Sequence, residues 1–276
     1  FLGATLASVA AQTYPNVEHI VIDGASTDTS VEVIGQYAAG LAYWESTPDA
    51  GFGQAICKGF ARSTGEIVAY LNSDDLLAKD AVAAAVDYLT RHPEVDLVYG
   101  NRIAIDEHGR LIYVRPSLPF GGGSPYSYIV VPQETCFWRR SVHDRVGGID
   151  DQVRFAIDYD LFSRIAHAGR VAHDGRIWGY FRRHPTSKTS SSYATLGRCE
   201  VAAIRRRHWK SAPSWRDRVV HTLNRAYALG YGAWLEVAAS GRVAPLPPRA
   251  HPASLIANVL PSRDWFQAAR RAPPPE

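Results

Sequence analysis

The order of segments predicts an α/β protein, a mixed and mostly parallel sheet flanked by helices, followed by a helical C-terminal extension. Three observations carry that expectation. Short bulky runs at 20–22, 41–44, 67–71 and 95–99 alternate with stretches of helical spacing, the pattern of βαβ units. The chain has 276 residues, 46% of them hydrophobic, enough for one large core. Its acidic and basic residues are unevenly divided. Residues 1–196 hold 17 Lys/Arg against 22 Asp/Glu, and residues 197–276 hold 13 against 5, so the front is about −5 and the end +8. We expect an α/β domain over 1–196, a basic helical extension over 197–242, and a Pro-rich, poorly ordered end over 243–276.

Residues 2–11 have helical spacing, and Pro15 stops them. His19-Ile20-Val21-Ile22 is a short strand closed by Asp23-Gly24. Thr29-Ser30-Val31-Glu32 fits a capping box, opening a helix whose apolar face includes Val33, Ile34 and Tyr37. A strand at 41–44 leads to the loop 48–53 and a helix at 54–63. The run 67–71 reads as a buried parallel strand with Asp74 and Asp75 emerging at its carboxyl end, the edge where open α/β sheets bind ligands. A helix follows at 80–91 with Val82, Val86 and Leu89 in register, then a strand at 95–99. A hairpin over 103–114 turns through Asp106-Glu107-His108-Gly109. The Gly-rich stretch 120–125 is a loop, 135–138 is extended, and Asp158-Tyr159-Asp160-Leu161 opens a helix that Gly169 ends. Trp178-Gly179-Tyr180-Phe181 is an aromatic strand.

Three widely spaced cysteines, Cys57, Cys136 and Cys199, form neither a disulfide framework nor a zinc motif, which points to a reducing, cytoplasmic setting. No apolar stretch approaches the ~20 residues of a membrane span. The chain has no methionine, so Phe1 is not a translation start, and we expect residues upstream of it.

The acidic residues carry the chemistry. Adjacent carboxylates repel unless a cation or donors hold them. Mg²⁺ bound through one or two carboxylates and phosphate oxygens is one resolution for Asp74 and Asp75; a solvated helix cap is the other. Asp23, at a strand end, can accept from a base N–H or a ribose hydroxyl, or simply close a turn. The Gly51-x-Gly53 loop lacks the third glycine of a dinucleotide fingerprint and does not directly follow a strand. Lys58, one turn into the next helix, either faces a phosphate or is solvated. Asp158 and Asp160 sit in a first helical turn, where the macrodipole favours the ionised form, so either is a general-base candidate or an ordinary helix-start acid. Arg182-Arg183-His184 offers charge and an imidazole, or is a surface basic run.

In order, residues 8–16 (Ser-Val-Ala-Ala-Gln-Thr-Tyr-Pro-Asn), 20–28 (Ile-Val-Ile-Asp-Gly-Ala-Ser-Thr-Asp), Asn72-Ser73-Asp74-Asp75, Pro132-Gln133, 137–140 (Phe-Trp-Arg-Arg), 146–150 (Val-Gly-Gly-Ile-Asp), 158–161 and Arg183-His184-Pro185 resemble the inverting family 2 glycosyltransferases of GT-A fold. The resemblance covers about residues 1–190. It implies a nucleotide-sugar donor (UDP-, GDP- or dTDP-sugar) bound through Asp23, Lys58, Asp74 and Asp75. It implies Mg²⁺ or Mn²⁺ held by Asp75 and Asp74 with His184 nearby, and Asp158 as the base that deprotonates a saccharide or lipid-linked acceptor. Gln133 and Trp138 match positions that shape the acceptor side. Three departures stand out: the first strand, with its Thr/Ser-x-Asn segment, is absent; Ile157 stands where relatives have Glu; and Cys57 stands where many have Asn. The expected role is cell-envelope or exopolysaccharide synthesis. The rivals are a sugar-1-phosphate nucleotidylyltransferase and an inactive nucleotide-sugar-binding module. The basic C-terminal region raises peripheral contact with an anionic membrane, against a solvated helical face; no nucleic-acid partner is expected.

Overall fold

The computed structural model describes residues 1–115, 117 and 131–208, with positions 222 and 230 standing alone. The loop expected at 120–125, the extension past 208 and the Pro-rich end lie outside the described residues. The elements run α1 (Leu2–Ala10), β1 (Ile20–Asp23), α2 (Ser30–Tyr37), β2 (Tyr43–Ser46), α3 (Phe52–Arg62), β3 (Ile67–Val68), β4 (Leu76–Leu77), α4 (Ala81–Arg91), β5 (Leu97–Ile105) and β6 (Leu111–Arg115). They continue with β7 (Cys136–Arg139), α5 (Arg140–Arg145), α6 (Ile157–Ala168), β8 (Val171–Arg182), α7 (Lys188–Ser192) and α8 (Arg198–His208).

β1 and β2 pair in parallel as a small sheet, and a second sheet has the order β3-β7-β5-β8-β4 with β6 also on β5. The α/β class holds, but the pairing is less parallel than expected. β1–β2 and β5–β8 are parallel, whereas β3–β7, β4–β8, β5–β6 and β5–β7 are antiparallel. The run 67–71 contributes a two-residue antiparallel strand, not a long parallel one. An apolar run records burial and carries no information about strand direction, so its neighbours, β7 for β3 and β8 for β4, decide it.

β5 is the middle of the core. Leu97 and Tyr99 face α6, packing with Trp138, Leu161, Phe162 and Ile165. Val98 faces α4 on the other side, with Ala84, Ala85, Leu89, Phe137 and Trp178. This alternation is the two-residue period of a strand covered on both faces. In α4 the buried stripe is Ala81, Ala84, Ala85 and Leu89, with Val82 and Val86 at its margin. Alanine brings the helix close to the sheet, so the stripe follows the small residues and departs from the Val82/Val86 face expected. The Thr29 capping box does not form; Asp28 Oδ1 instead accepts from the Ser30 N–H at 2.9 Å. Gly169 ends α6 in extended backbone, with the Asp96 carboxylate accepting from the next N–H, Arg170, at 2.8 Å.

β8 is 12 residues long, where only its aromatic end was legible. Its polar start is held by Asn101 of β5. The Asn101 Oδ1 accepts from the Ser117 N–H at 2.8 Å and from His173 Nε2 at 3.0 Å, and its amide nitrogen donates to the Gly175 carbonyl. Gly100 is obligatory beside it, because a Cβ there would lie 2.5 Å from Trp178 Cγ. Burial pushes the His173 imidazole down to about 4. The unfolded chain, near 6.5, therefore binds the proton first, so stability falls as pH drops from about 6.5 to about 4 and levels off below. We expect this site to contribute up to about 3 kcal/mol of that loss. Denaturant unfolding of His173→Gln at pH 7 and pH 4.5 should show a shallower decline than wild type; equal declines would remove His173 as the cause.

Candidate functional site

The acidic turn forms between β3 and β4, where the Asp75 N–H donates to the Asn72 carbonyl at 3.3 Å. Asp75 is 1% exposed and both its oxygens are occupied. Oδ1 accepts from the Arg182 N–H at 2.9 Å, and Oδ2 accepts from Asn72 Nδ2 at 3.1 Å. Burial, then the charges of Glu134 and Asp74, push its carboxyl well above the usual carboxylate range. Arg182 closes the turn from behind: its Nε donates to the Asp74 carbonyl at 2.9 Å. From α1, the Thr5 hydroxyl lies 2.8 Å from the Asp75 carbonyl and 2.9 Å from that of Ser73. Thr5→Val leaves both carbonyls without this donor, and should cost ~1–3 kcal/mol in urea unfolding; a loss below a few tenths would mean that Thr5 does not hold the turn.

Asp74 points outward, its side chain 27% exposed, with His184 Nε2 at 3.0 Å from Oδ2. The other ring nitrogen, Nδ1, lies 2.9 Å from the Thr186 hydroxyl. Asp74 thus reaches the surface, the His184 side chain beside it is 9% exposed, and Asp75 lies behind them. No group of three or more His, Cys, Asp or Glu side chains among the described residues is gathered as a metal site. One partly exposed carboxylate beside an imidazole still fits an ion that takes few protein ligands and completes its shell with phosphate oxygens and water. In this conformation Asp75 lies behind that pair, each of its oxygens already accepting one hydrogen bond.

Asp158, in the first turn of α6, is half-buried. Its Oδ1 accepts from the Tyr159 N–H at 2.8 Å. Burial raises its pKa, the Tyr159 N–H opposes this, and Glu134 adds to the rise. The Glu134 charge therefore acts on both Asp75 and Asp158. Tyr70 reports the same neighbourhood: its phenol is raised by burial, then by Asp158, with Glu134 and Asp75 adding to it. Glu134 itself is buried opposite Arg102, whose Nη1 lies 3.4 Å from Oε1. The sequence reading missed Glu134, whose polar neighbours Gln133 and Thr135 give no local sign that it is buried.

Asp23 and Lys58 gather at the end of the β1–β2 pair. Asp23 accepts from the Ser46 hydroxyl at 2.6 Å and from the Ser26 N–H at 2.9 Å. Burial pushes its carboxyl up, but the Ser26 and Ser46 hydroxyls and the Ser26 and Ala25 N–H groups outweigh it, and the pKa is lowered. Lys58 donates to the Thr47 hydroxyl at 2.9 Å and pairs with Glu45 at 3.3 Å. Gly53 sits close to the neighbouring loop, since a Cβ there would lie 3.1 Å from the Asp151 Cα.

Two acceptor-side expectations change. Trp138 is 0% exposed, packed edge-on against Phe162 and Tyr70, with its indole N–H donating to His143 Nδ1 at 3.3 Å. It belongs to the core, because β7 is covered on both faces: Cys136 and Trp138 are buried on one side and Phe137 on the other. Gln133 is also buried: its amide donates to the Tyr70 carbonyl at 2.6 Å, and its Oε1 accepts from Asn72 Nδ2 at 3.2 Å. It braces the acidic turn. Asp160 is structural as well, held by Arg164 Nη2 at 2.7 Å and His208 Nε2 at 3.0 Å.

The profile of Glycosyl transferase family 2 matches residues 1–148. An uncharacterized glycosyltransferase of Mycobacterium tuberculosis is 34% identical over 171 residues, 60% of this chain and 63% of that protein, so the chain spans under two thirds of that relative's length. A PGL/p-HBAD biosynthesis glycosyltransferase of the same species is 27% identical over 184 residues, 62% of this chain and 68% of its own. The fold is similar to that of a mannosyltransferase from Pyrobaculum calidifontis solved with GDP-Man and Mn²⁺, with TM-score 0.57, 21% identity, and coverage of 98% of this chain and 80% of that one. It is also similar to that of S. aureus TarS 1-349 in complex with UDP-GlcNAc, with TM-score 0.56, 16% identity, and coverage of 98% and 83%.

Proposed function

The chain belongs to glycosyltransferase family 2, and on that footing we propose that it transfers a sugar from a nucleotide-sugar donor to an acceptor hydroxyl, with inversion and with Mg²⁺ or Mn²⁺ at the diphosphate. The observation that carries this reading is the Asp74–His184 pair, with Asp74 partly exposed, on a hydrogen-bonded Asp75, together with the half-buried Asp158 at the start of α6; the buried Glu134 charge acts on both Asp75 and Asp158. Asp23, kept ionised by its hydroxyl and N–H donors, suits the nucleoside's base N–H or ribose hydroxyls, and Lys58 suits donor phosphate.

In this mechanism Asp158 takes the proton of the acceptor hydroxyl as its oxygen attacks the anomeric carbon. The bond from that carbon to the diphosphate oxygen breaks on the opposite side, so one displacement inverts the centre. Asp74 and His184 would hold the ion, which when bound would neutralise the leaving diphosphate. Asp75 keeps Asp74 in place through the Arg182 and Asn72 contacts.

The acceptor we favour is a saccharide or lipid-linked intermediate of cell-envelope synthesis, a reading supported by the PGL/p-HBAD name of one relative. Its setting would be the cytoplasm, where nucleotide sugars are made. Peripheral contact with an anionic membrane through the basic extension, most of whose Lys and Arg lie outside the described residues, remains part of the proposal. Arg205 and His208 turn inward to Tyr159 and Asp160, and Arg207 lies 3.4 Å from Asp150. Among the described residues no helix is long and apolar enough to cross a membrane.

The test is a panel of UDP-, GDP- and dTDP-sugars with Mn²⁺ or Mg²⁺, reading nucleoside diphosphate release and sugar transfer. Release and transfer from one donor class are expected. Silence across the panel would sink the reading, and pyrophosphate release from a nucleoside triphosphate plus sugar-1-phosphate would move the chain to the nucleotidylyltransferase rival.

A further inference from the structure

The carboxylate of Glu200, on α8, accepts three consecutive backbone N–H groups from the segment that leads into α6. Oε1 accepts from Arg154 at 2.9 Å, and Oε2 accepts from Phe155 at 2.7 Å and from Ala156 at 2.9 Å. Successive N–H groups aimed at one point form an anion-binding nest, and here a side chain of the same protein fills it. The opposite polarity of the segment is held too, by Lys188 Nζ donating to the Arg154 carbonyl. α6 has no side-chain cap of its own, because Ala156 stands at that position. What fixes its start therefore comes from 44 residues further along the chain.

The rest of α8 keeps Glu200 in place. Ile204 is buried against the α6 side of the core, Arg205 Nε donates to the Tyr159 hydroxyl at 3.3 Å, and His208 Nε2 lies 3.0 Å from Asp160 Oδ1. Gly197 lets the helix approach, since a Cβ there would sit 2.7 Å from the Phe155 ring. Ala156, the last residue in the nest, is two residues before Asp158.

We propose that Glu200 is a positioning residue for Asp158, and that α8 is thereby part of the catalytic unit. The inference rests on the transferase reading above and deepens it. Glu200 touches no reacting atom. It removes slack from 154–156, and slack there moves the first turn of α6 together with the Asp158 carboxylate. A misplacement of about 1 Å costs on the order of 10²-fold in rate.

The experiment uses the full chain with Glu200→Gln and Glu200→Asp. Glutamine keeps the length but turns an NH₂ donor toward N–H groups; aspartate keeps the charge on a shorter stem. For Glu200→Gln we expect kcat on the donor found active to fall roughly 10- to 100-fold. Binding of UDP or GDP with Mn²⁺, by calorimetry, should stay within about twofold, because Asp23 and Asp74 are untouched. Amide exchange should quicken at 154–158 and not across the sheet, and Glu200→Asp should recover part of kcat. Unchanged kcat in Glu200→Gln overturns the proposal, as does a parallel loss of kcat, nucleotide binding and exchange protection throughout the chain. If Glu200→Gln fails to fold, Glu200→Asp carries the same comparison against wild type. If wild type turns over no donor, the transferase reading fails by itself; the clamp is then judged by exchange alone, supported by faster exchange at 154–156 and overturned by none.

Discussion

Asp158→Asn is expected to lower kcat by about 10²- to 10⁴-fold, the usual cost of losing a general base. Nucleotide binding and the unfolding midpoint should stay close to wild type. Asparagine keeps the shape of the side chain and an oxygen for the Tyr159 N–H, so the first turn of α6 survives and only the proton acceptor is lost. The pH profile supplies a second, independent check. The base must be ionised to act, and burial together with Glu134 raises its pKa, with the Tyr159 N–H opposing. The acid limb of kcat/KM should therefore lie above the usual carboxylate range, with rate lost as pH falls through it. Activity of Asp158→Asn within a few fold of wild type would remove the residue from this role. An acid limb at the ordinary carboxylate value would instead remove the electrostatic account of it.

Chelation should reduce transfer to background, and Mn²⁺ or Mg²⁺ should restore it. Asp74→Ala should raise the metal concentration needed for half-maximal rate by about 100-fold or more, since even outer contacts of a metal site are worth 10–100-fold. The reason for choosing Asp74 over Asp75 is geometric. Asp74 is the partly exposed member of the pair and faces His184, whereas Asp75 is 1% exposed and each of its oxygens already accepts a hydrogen bond, from the Arg182 N–H and from Asn72. The two acids should accordingly separate in their effects. Asp74→Ala should alter metal dependence with little change in urea midpoint, whereas Asp75→Ala should lower both activity and stability, because it leaves the Arg182 N–H and Asn72 amide without their acceptor inside the core. Full transfer activity in the presence of a strong chelator, with no metal rescue needed, would end the metal reading.

Much of this site was legible because its acids punctuate periodic segments. Asp23 closes the 20–23 strand, Asp74 and Asp75 follow an apolar run, and Asp158 opens a helix, each marked by a change of pattern in the sequence. Trp138 shows the limit of that signal. A tryptophan in a short extended stretch is equally compatible with a binding wall and with a core, and the pairing of β7 between β3 and β5 sent it inward. Gln133 went the same way, from an expected acceptor contact to a brace on Asn72 and Tyr70.

Local chemistry alone, then, determined which acids stand at element ends and that helices and strands alternate, since burial period and turn residues are properties of neighbours in the chain. The tertiary structure decided the direction of the short strands, which member of the Asp74–Asp75 pair faces outward, and the partners Glu134, Arg182 and Glu200. Those outcomes depend on contacts between residues tens to more than a hundred positions apart, such as Asp75 with Arg182 at a separation of 107. No local pattern of propensity or spacing encodes such distances; they are fixed only when the sheet and its covering helices pack.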